Sequence, residues 1–577
     1  MSWLFGILGP EISGKTVSRS QAIHGGAINT FVNHGNFYFA IGGLPATCFS
    51  GRTLNPNGEL QSFWVSLGCA FGKNDTGRKL FGQQDWSQAK EEDISSLDGH
   101  FVHLRFEKGR FQFLTDKLGL RTLYWAESTR ETVVSTRIDW VANYVRGRRI
   151  DFEKLGSRWR LYNQLTYDSP VQGIQRLGPS GRLVIDRDIA TSSYRPFEPE
   201  FSRRVTTDRY IELLSQSLNP KIDSHLTMSL GLSAGLDSRT LLAMLLHSNP
   251  DSFQTHTFGI RQEPDVSIAA TIAKNEGIRH LICDVPLPST AMTISLLDDY
   301  VAQTNLVEPA YAMLRLRHYD GVDAEKYYIV DGAFGEISRR QYMNQLLLVG
   351  KQAVAHRMVA MFKKALAFNR GDIFNPEITG LMEHGIDREM AAMLDTMPDP
   401  NRVGMGNYLD LWVVRTRIPN FGCNEQARVD GIILNYMPFA QPSLINSIFG
   451  IPVGQRSNSK LFREIIARYR PALAKYPLAK NNATFPFYFP RIASMLMARY
   501  KLRFGHAYDD PSPHIFLSMV KEFTLDLLHS KETVEYSAYD YAKISKNVHD
   551  YYSGAKALSS KVAWWLTFEL WRRRIER

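Results

Sequence analysis

The residue types best suited to chemistry lie in one short segment, residues 226–238. Its first seven residues, Leu-Thr-Met-Ser-Leu-Gly-Leu, form an apolar run typical of a buried strand, and Ser-Ala-Gly-Leu-Asp-Ser follows directly. Residues 239–247 then continue as an apolar helical segment. A turn of small residues between strand and helix leaves backbone N–H groups unpaired, and the helix dipole favours an anion beside them. The segment therefore predicts a phosphate-binding loop, with a plain strand-to-helix turn as the alternative.

The common phosphate-binding motifs do not describe this loop. A Walker loop ends in Gly-Lys followed by Ser or Thr, and the dinucleotide motif is Gly-x-Gly-x-x-Gly, but neither occurs here. A second chemical segment follows at residues 327–336, where the apolar run Tyr-Tyr-Ile-Val leads into Asp-Gly-Ala-Phe-Gly-Glu. This pattern predicts a buried strand that ends in a glycine-rich acidic loop. Between the two segments, residues 254–259 and 280–284 also read as strands, which indicates a parallel sheet with helical crossovers.

The loop Ser-x-Gly-x-Asp-Ser resembles the pyrophosphate loop of ATP pyrophosphatases, which cleave ATP between its α and β phosphates to make an acyl-adenylate. The resemblance implies that Leu232, Ser233, Gly235 and Ser238 contact the nucleotide, and that Asp237 does so close to a metal ion. The usual second residue of the motif is Gly. Here it is Ala234, whose methyl group tightens a loop that must approach its ligand closely.

The order of the following motifs is similar to the synthetase domain of asparagine synthetases. This resemblance implies that Thr257, Phe258 and Gly259 border the adenine and that an acid near Asp265 lies at the metal site. The family's Mg²⁺-binding loop is Ser-Gly-x-Gly-x-Asp-Glu, and alignment on Gly332 places its acid at Glu336. The expected cofactors are ATP and Mg²⁺, with Gly332 at the nucleotide and Asp237 and Glu336 as metal ligands.

The N-terminal half resembles the glutaminase domain of the same family. Residues 96–101, 114–125 and 133–137 follow its order of strands and turns. Alternating apolar runs predict strands at residues 37–42, 100–107, 110–115, 123–126 and 132–135. The implied fold is an α+β N-terminal Ntn-hydrolase-like sandwich, followed by an α/β ATP-pyrophosphatase domain with a helical C-terminal part. The expected domains are residues 1–200 and 201–577.

One departure concerns the glutaminase reaction. Working glutaminases of this kind start Met-Cys-Gly-Ile, and removal of Met frees the cysteine nucleophile. This sequence starts Met1-Ser2-Trp3, so a weak nucleophile replaces the thiol and a bulky ring replaces the glycine. We therefore expect a degenerate glutaminase domain, with the amine supplied by the substrate itself or by free ammonia.

The C-terminal half does not identify the residues that act on the attacking amine. The family's adenylate-stabilising lysine falls nearest Lys480, which we predict to be catalytic together with Asp237, while Lys475 and a merely solvated loop lysine are the alternatives. The family's Glu-x-Arg-x-Pro-Phe is replaced by Leu-Asn-Tyr-Met-Pro-Phe at residues 434–439, so the usual Glu and Arg are missing. Asp430 and Glu425 are the candidates for a base.

Composition sets the broad class. The chain has 577 residues and a formal net charge of +10, which favours anionic partners. Its four cysteines form no CxxC pair, so neither a zinc ribbon nor a disulfide scaffold is expected, and a reducing cytoplasm suits the sequence best. Residues 562–574 are aromatic and basic at helical spacing, which fits a docked terminal helix or peripheral membrane contact. No nucleic-acid partner is expected.

These inferences converge on an ATP-dependent carboxylate–amine ligase that works through an acyl-adenylate without hydrolysing glutamine. Loss of the cysteine resembles lasso peptide cyclases and β-lactam synthetases, so a macrolactam-forming cyclase acting on a peptide carboxylate, with a peptide-processing partner protein, is the leading specific hypothesis. Amidation of a sugar acid or another small carboxylate in surface polysaccharide or natural-product synthesis is the rival. A catalytically inactive scaffold of the same fold is the third alternative, suggested by Ala234, Glu336 and Leu434.

Overall fold

The structure is a computed structural model. It describes residues 2–25, 28–74, 77–128, 130–186, 189–222, 225–344, 346, 354, 356–480, 483–489, 491–504 and 510–577.

The first 193 residues build two antiparallel sheets. Their strands are β1 (Trp3–Leu8), β2 (Thr30–His34), β3 (Phe37–Gly42), β4 (Cys48–Leu54), β5 (Leu60–Asn74), β6 (Gly77–Leu80), β7 (Asp98–Glu107), β8 (Arg110–Thr115), β9 (Tyr124–Glu127), β10 (Thr132–Ser135), β11 (Gln175–Arg176), β12 (Arg182–Asp186) and β13 (Ile189–Ser193). One sheet has the order β11-β9-β10-β1-β3-β2, and the other has the order β13-β12-β8-β7-β5-β4, with β6 paired to β5.

The two sheets pack face to face through an apolar layer. Phe37 and Phe39 of β3 pack on Phe63 of β5 and Phe111 of β8, with ring centroids 5.0–5.7 Å apart. Short helices cover the two outer faces, because their buried tryptophans pack on the sheets from outside. The helices of this half are Gly14–His24, Gln83–Gln88, Glu91–Ser96, Ile138–Val145 and Phe152–Arg160. The result is a four-layer arrangement of helices, two sheets and helices.

The second half contains a parallel sheet. Its strands are β14 (Thr227–Gly231), β15 (Phe253–Phe258), β16 (His280–Cys283), β17 (Tyr327–Val330) and β18 (Asn435–Tyr436), in the order β16-β15-β14-β17-β18. The central strand β14 pairs in parallel with both β15 and β17, so the loops that follow these three strands meet at one edge of the sheet. A separate hairpin of β19 (Leu478–Lys480) and β20 (Ala483–Phe485) lies later in the chain.

Helices fill the remainder of this half. They are Thr207–Leu218, Leu236–Ser248, Pro264–Glu276, Thr290–Thr304, Met313–Leu316, Gly335–Ser338, Val359–Leu366, Pro376–Thr396, Pro400–Val403, Met405–Arg417, Cys423–Val429, Pro442–Phe449, Val453–Arg456, Lys460–Tyr469, Arg491–Arg503, Ser512–Met519, Lys521–His529, Lys531–Val534, Tyr541–Tyr552 and Ser559–Ile575. A π-helical turn, Ile418–Gly422, joins two of them. Within the described residues, no helix combines the length and the apolar composition that a membrane span requires.

The predicted strands and helices around the chemical segments are confirmed to within a few residues. Strands β8 and β10 have the predicted bounds, and the helix after the small-residue loop begins at Leu236. The sequence pattern does not predict β1 or the 15-residue β5, the longest strand of its sheet. Both strands are buried by the opposite layer and by helices, so their apolar residues do not alternate in the pattern of a half-buried strand.

The aromatic tail forms the helix Ser559–Ile575, which is buried among other helices. Trp565 and Trp571 are 1% and 0% exposed. Arg572 and Arg573 bind the buried Glu569, and Arg574 binds Asp139 and Asp298. The aromatic side chains that membrane contact would use are therefore part of the core, which is the docked-helix alternative of the sequence analysis.

Candidate functional site

The small-residue loop lies where β14 meets the helix Leu236–Ser248. Ser238 Oγ accepts a hydrogen bond from Ser233 N at 3.1 Å, and Ser233 Oγ accepts one from Gly235 N at 3.1 Å. Ala234 N donates to Asp265 Oδ1 at 2.9 Å. Hydroxyl groups of the loop and one neighbouring carboxylate thus fix its shape.

The helix that follows begins without a side-chain cap. Gly235 is its N-cap residue and has no side chain to accept from the first turn. An uncapped helix N-terminus presents backbone N–H groups and the positive end of the helix dipole. Together with the hydroxyls of Ser233 and Ser238, this arrangement suits a phosphate group.

The acidic loop after β17 packs directly onto this first turn. A Cβ atom on Gly335 would lie 2.4 Å from Asp237 Oδ1, and one on Gly332 would lie 3.1 Å from Ser238 N. Phe334 between them has a positive φ of 65°. The two glycines therefore allow a contact between loops that any larger residue would push apart.

Asp237 forms a two-pronged ion pair with Arg339. The guanidinium Nε and Nη2 donate to Asp237 Oδ1 and Oδ2, each at 2.7 Å, and Nη2 lies 3.6 Å from Glu336 Oε1. Burial raises the pKa of Asp237 to about 6 even though the guanidinium opposes this change. Burial would lower the pKa of Arg339, but the two carboxylates outweigh it and raise that pKa.

The two predicted metal ligands, Asp237 and Glu336, both pair with Arg339. Both carboxylate oxygens of Asp237 are engaged by Arg339, and Glu336 faces the same guanidinium. Over the described part of the chain, no group of three His, Cys, Asp or Glu side chains converges on a point that could hold a metal ion. Mg²⁺ needs near-octahedral oxygen ligands at about 2.0–2.1 Å, so an ion bound by Asp237 and Glu336 would have to share these carboxylates with the guanidinium or displace it.

The segment predicted to border an adenine lies beside the loop, at the end of β15. Thr257 Oγ1 donates to the carbonyl of Leu232 at 2.6 Å, so the two strand ends are tied together. The side chain of Leu232 is buried, which leaves only its backbone for a ligand. Gly259 has a φ of +119°, and a Cβ atom there would lie 2.8 Å from Glu263 Oε2. The ring of Phe258 remains partly exposed and packs 4.5 Å from the ring of Tyr319.

The lysine-bearing hairpin also reaches the loop. Ala479 N donates to the carbonyl of Ala234 at 3.4 Å, so the backbone next to Lys480 contacts the loop directly. The side chain of Lys480 lies outside the described part of the structure. Arg239 is fully buried and donates to the carbonyls of Ala234, Tyr476 and Pro477, which fixes the hairpin to the loop. Lys475 is exposed.

The two candidate bases have opposite surroundings. Asp430 is fully buried and binds His100 at 2.9 Å and Arg121 at 3.1 Å, so no substrate can reach it. Glu425 is accessible, one turn after the π-helical segment. Protein atoms around it raise its pKa to about 7 by desolvation, and the neighbouring Glu308 carboxylate adds to the shift. Glu425 is thus the only one of the pair that can exchange a proton with a substrate near pH 7.

Ser2 sits in a closed environment. Its side chain is 0% exposed, and its Oγ lies 2.6 Å from Thr47 Oγ1 and 3.1 Å from the carbonyl of Asp430. A Cβ atom on Gly43 would lie 2.4 Å from Ser2 Cα. Trp3 fills the adjacent space, with its ring 5.0 Å from those of His24 and Trp140. Among the described residues, Thr47, Asp430, Gly43 and the ring of Trp3 thus enclose this hydroxyl group.

Arg339 is the site residue that sequence reasoning missed. Arg339 lies three residues after Glu336, a spacing at which two side chains on a helix can form an ion pair, and this is the sequence feature that points to it. Which carboxylate it binds depends on the packing of two loops that lie 102 residues apart in the chain. The sequence pattern likewise gives no sign that Arg239 connects the loop to the hairpin segment.

Comparison with known proteins gives little further information. No family model matches the chain, and no curated protein matches it. The glutamine phosphoribosylpyrophosphate amidotransferase of B. subtilis aligns over 57% of this chain and 81% of its own, with 12% identity and a TM-score of 0.22. A structure described as the allosteric regulatory enzyme of purine biosynthesis aligns over 63% and 78%, with 13% identity and a TM-score of 0.22. The U34-tRNA thiolase NcsA from Methanococcus maripaludis aligns over 39% and 80%, with 11% identity and a TM-score of 0.18. Similarity at this level decides neither fold nor function, so the residues themselves must support a proposal.

Proposed function

We propose that the chain is an ATP-dependent ligase that joins a carboxylate to an amine through an acyl-adenylate, without hydrolysing glutamine. The observation that carries this proposal is the uncapped helix N-terminus at Leu236, set between the glycine-rich acidic loop and the hairpin that bears Lys480. The helix N-terminus suits a polyphosphate, the acidic loop brings charged side chains beside it, and the hairpin contacts the loop through its backbone. The resemblance to asparagine synthetases supplies the reaction.

The chemistry assigns a task to each part. A carboxylate oxygen attacks the α-phosphorus of ATP, and the bond to pyrophosphate breaks while N–H groups of the first helical turn stabilise the departing charge. The amine nitrogen then attacks the acyl carbon, and AMP leaves. In this proposal Lys480 stabilises the charge on the adenylate and the tetrahedral intermediate. Glu425 accepts the proton that the amine loses, which its accessibility and its raised pKa support.

The enclosed Ser2 supports an amine source other than glutamine. A hydroxyl group that is fully buried against Thr47 and Asp430 has no room for a substrate amide. The attacking amine therefore belongs to the substrate or is free ammonia. As the finer proposal, carboxylate and amine belong to the same peptide, and the product is a macrolactam.

Exchange of labelled pyrophosphate into ATP tests the first half-reaction. The assay pairs the chain with peptide carboxylates, with sugar acids and with no carboxylate, because exchange requires reversible adenylate formation. The Asp237→Ala variant should lose exchange, whereas Asp208→Ala, an exposed carboxylate in a surface ion pair, should keep it. Full exchange by Asp237→Ala would refute the loop assignment.

The same assay separates the alternatives. Exchange that depends on a peptide supports the macrolactam, and exchange that depends on a sugar acid supports amidation in surface polysaccharide synthesis. A chain with neither exchange nor ATP affinity is an inactive scaffold. Product formation that requires glutamine and not ammonium would overturn the proposal that the glutaminase domain is inactive.

A further inference from the structure

The pair of Asp237 and Arg339 places a protein cation in the first turn of the proposed phosphate site. Both side chains are 16% exposed, so the pair is shielded without being sealed from solvent. Nε and Nη2 face Asp237, and among the described residues Nη1 has no hydrogen-bond partner. One edge of the guanidinium is thus anchored, and one nitrogen remains for a ligand.

The charges around this turn require a cation when a polyphosphate binds. Asp237, Glu336 and Asp331 bring three carboxyl groups close enough to interact with one another. The phosphate groups of ATP would add further negative charge beside them, and like charges at short range repel strongly where solvent is limited. In the structure the group that offsets this charge is Arg339.

The contact between loops keeps the guanidinium in place. Gly335 lets the acidic loop approach Asp237 so closely that a Cβ atom would lie 2.4 Å from Oδ1. Arg339 follows four residues later, and its backbone N–H donates to the carbonyl of Gly335. The same turn therefore positions both the glycine that meets Asp237 and the arginine that binds it.

We propose that Arg339 is the resident cation of this nucleotide site: Asp237 positions the guanidinium, which binds the phosphate chain of ATP, so that Asp237 and Glu336 do not hold a divalent ion. The assignment rests on the proposed function, since it requires that ATP binds at this loop. A guanidinium suits the task because it pairs with a carboxylate and a phosphate at the same time through different edges. In this assignment Asp237 is a positioning residue.

The test is the affinity for an ATP analogue with a methylene group between the α and β phosphates, measured by calorimetry with magnesium and with EDTA. The wild-type chain should bind the analogue in both conditions. Arg339→Met should weaken binding in EDTA by roughly 10-fold to 100-fold, the range expected for a lost charge-assisted hydrogen bond. Magnesium should partly restore its affinity, because Asp237 and Glu336 are then free to act as ligands.

Matched variants separate this role from a structural one. Arg209→Met removes an exposed arginine that is paired with Glu212, and it should bind like the wild type. Arg339→Lys keeps the positive charge but loses the planar, two-pronged guanidinium. Its affinity for the analogue should therefore lie between those of the wild type and Arg339→Met, and it should not depend on magnesium. If Arg339→Met does not fold, the affinities of Arg339→Lys and of the wild type, each with magnesium and with EDTA, still test whether Arg339 is the cation of the site.

Two results would overturn the assignment while leaving the proposed function intact. One is loss of wild-type binding in EDTA, which would show that the site depends on a divalent ion. The other is equal affinity of wild type and folded Arg339→Met in EDTA. Absence of binding by the wild type even with magnesium would instead contradict the proposed function, and this inference with it.

Discussion

Glu425 and Asp430 lie five positions apart on one stretch of chain, yet only one of them can act on a substrate. The pKa of Glu425 is raised to about 7, with desolvation by the surrounding protein the larger cause and the carboxylate of Glu308 the next, although the side chain itself remains accessible. Arg428 and Arg315 oppose the shift, and Asp331 adds to it. Both candidates could be named from the sequence, but their exposure could not, because it depends on which elements pack above each side chain.

Replacing Glu425 by Gln should separate the two half-reactions. The variant keeps the size of the side chain but cannot accept a proton, so amide formation should fall by about 10²-fold to 10⁴-fold while pyrophosphate exchange persists. In the wild type the base form predominates above pH 7, so amide formation should increase as the pH rises through about 7. Rate profiles of both half-reactions check this, and an equal loss of exchange in the variant would contradict it.

At the scale of elements, the site depends on a strand, a loop and a helix that the local sequence pattern already predicts. The apolar run before Ser233 and the small residues after it indicate β14 and the start of its helix, and both are present. The acidic loop after β17 was also predicted, but its contact with Asp237 was not. Two segments about a hundred residues apart meet there because β14 and β17 are adjacent strands.

Substituting Gly335 by Ala should disrupt this contact. The added Cβ atom would lie 2.4 Å from Asp237 Oδ1, so the acidic loop must shift and Arg339 with it. We expect nucleotide affinity to fall by at least tenfold and the free energy of unfolding to fall by about 1–3 kcal/mol. Titration with an ATP analogue and urea unfolding measure both effects.

Gly380 offers a matched control. It lies within the helix Pro376–Thr396, and, apart from that helix's own backbone, no described residue places an atom within 4 Å of its Cβ position. Gly380→Ala should therefore leave nucleotide affinity unchanged and raise stability by about 0.5–1 kcal/mol. A Gly335→Ala variant that behaves like this control would show that the loops do not need their close contact.

The C-terminal helix should act as a core element. Trp571 is fully buried, so Trp571→Ala should lower the free energy of unfolding by about 3–5 kcal/mol. Because the aromatic residues are enclosed, the wild-type chain should not sediment with uncharged lipid vesicles, which the net charge of +10 does not attract. The exposed Lys531→Ala variant, in a surface ion pair with Glu535, should unfold like the wild type. Vesicle binding by the folded wild type would contradict the buried role.

At the scale of the whole molecule, the two halves are packed together as one body. One hydrophobic cluster joins Trp3 and Phe5 of β1 to Leu297 and Trp571 of the second half. A polar cluster lies at the same interface, where the Asp430 carboxylate binds His100 and Arg121 of the first half. The antiparallel sheets end at Ser193 and the parallel sheet begins at Thr227, but composition gives no sign of how closely the halves are joined. Such contacts depend on side chains hundreds of positions apart.

The Asp430 cluster predicts how stability depends on pH. Burial would lower the pKa of His100, but Asp430 outweighs it and raises that pKa to about 10. Burial would raise the pKa of Asp430, but His100 and Arg121 hold it below its ordinary value of 3.8. The contribution of His100 is complete below its ordinary value of 6.5 and is lost as the pH rises through about 10. The contribution of Asp430 is present above pH 3.8 and is lost on acidification.

Asp430→Asn should therefore cost the most stability between pH 3.8 and 6.5, where both contributions are present. We expect a loss of about 3–5 kcal/mol at about pH 5, because a buried charge loses its partner, and a smaller loss at about pH 9. Urea unfolding at the two pH values measures the difference. Asp139→Asn is the matched control, because Asp139 is also buried but pairs with Arg137 and Arg574, which do not titrate in this range. Its cost should be the same at both pH values, so an equally constant cost for Asp430→Asn would show that His100 is not charged at the interface between the halves.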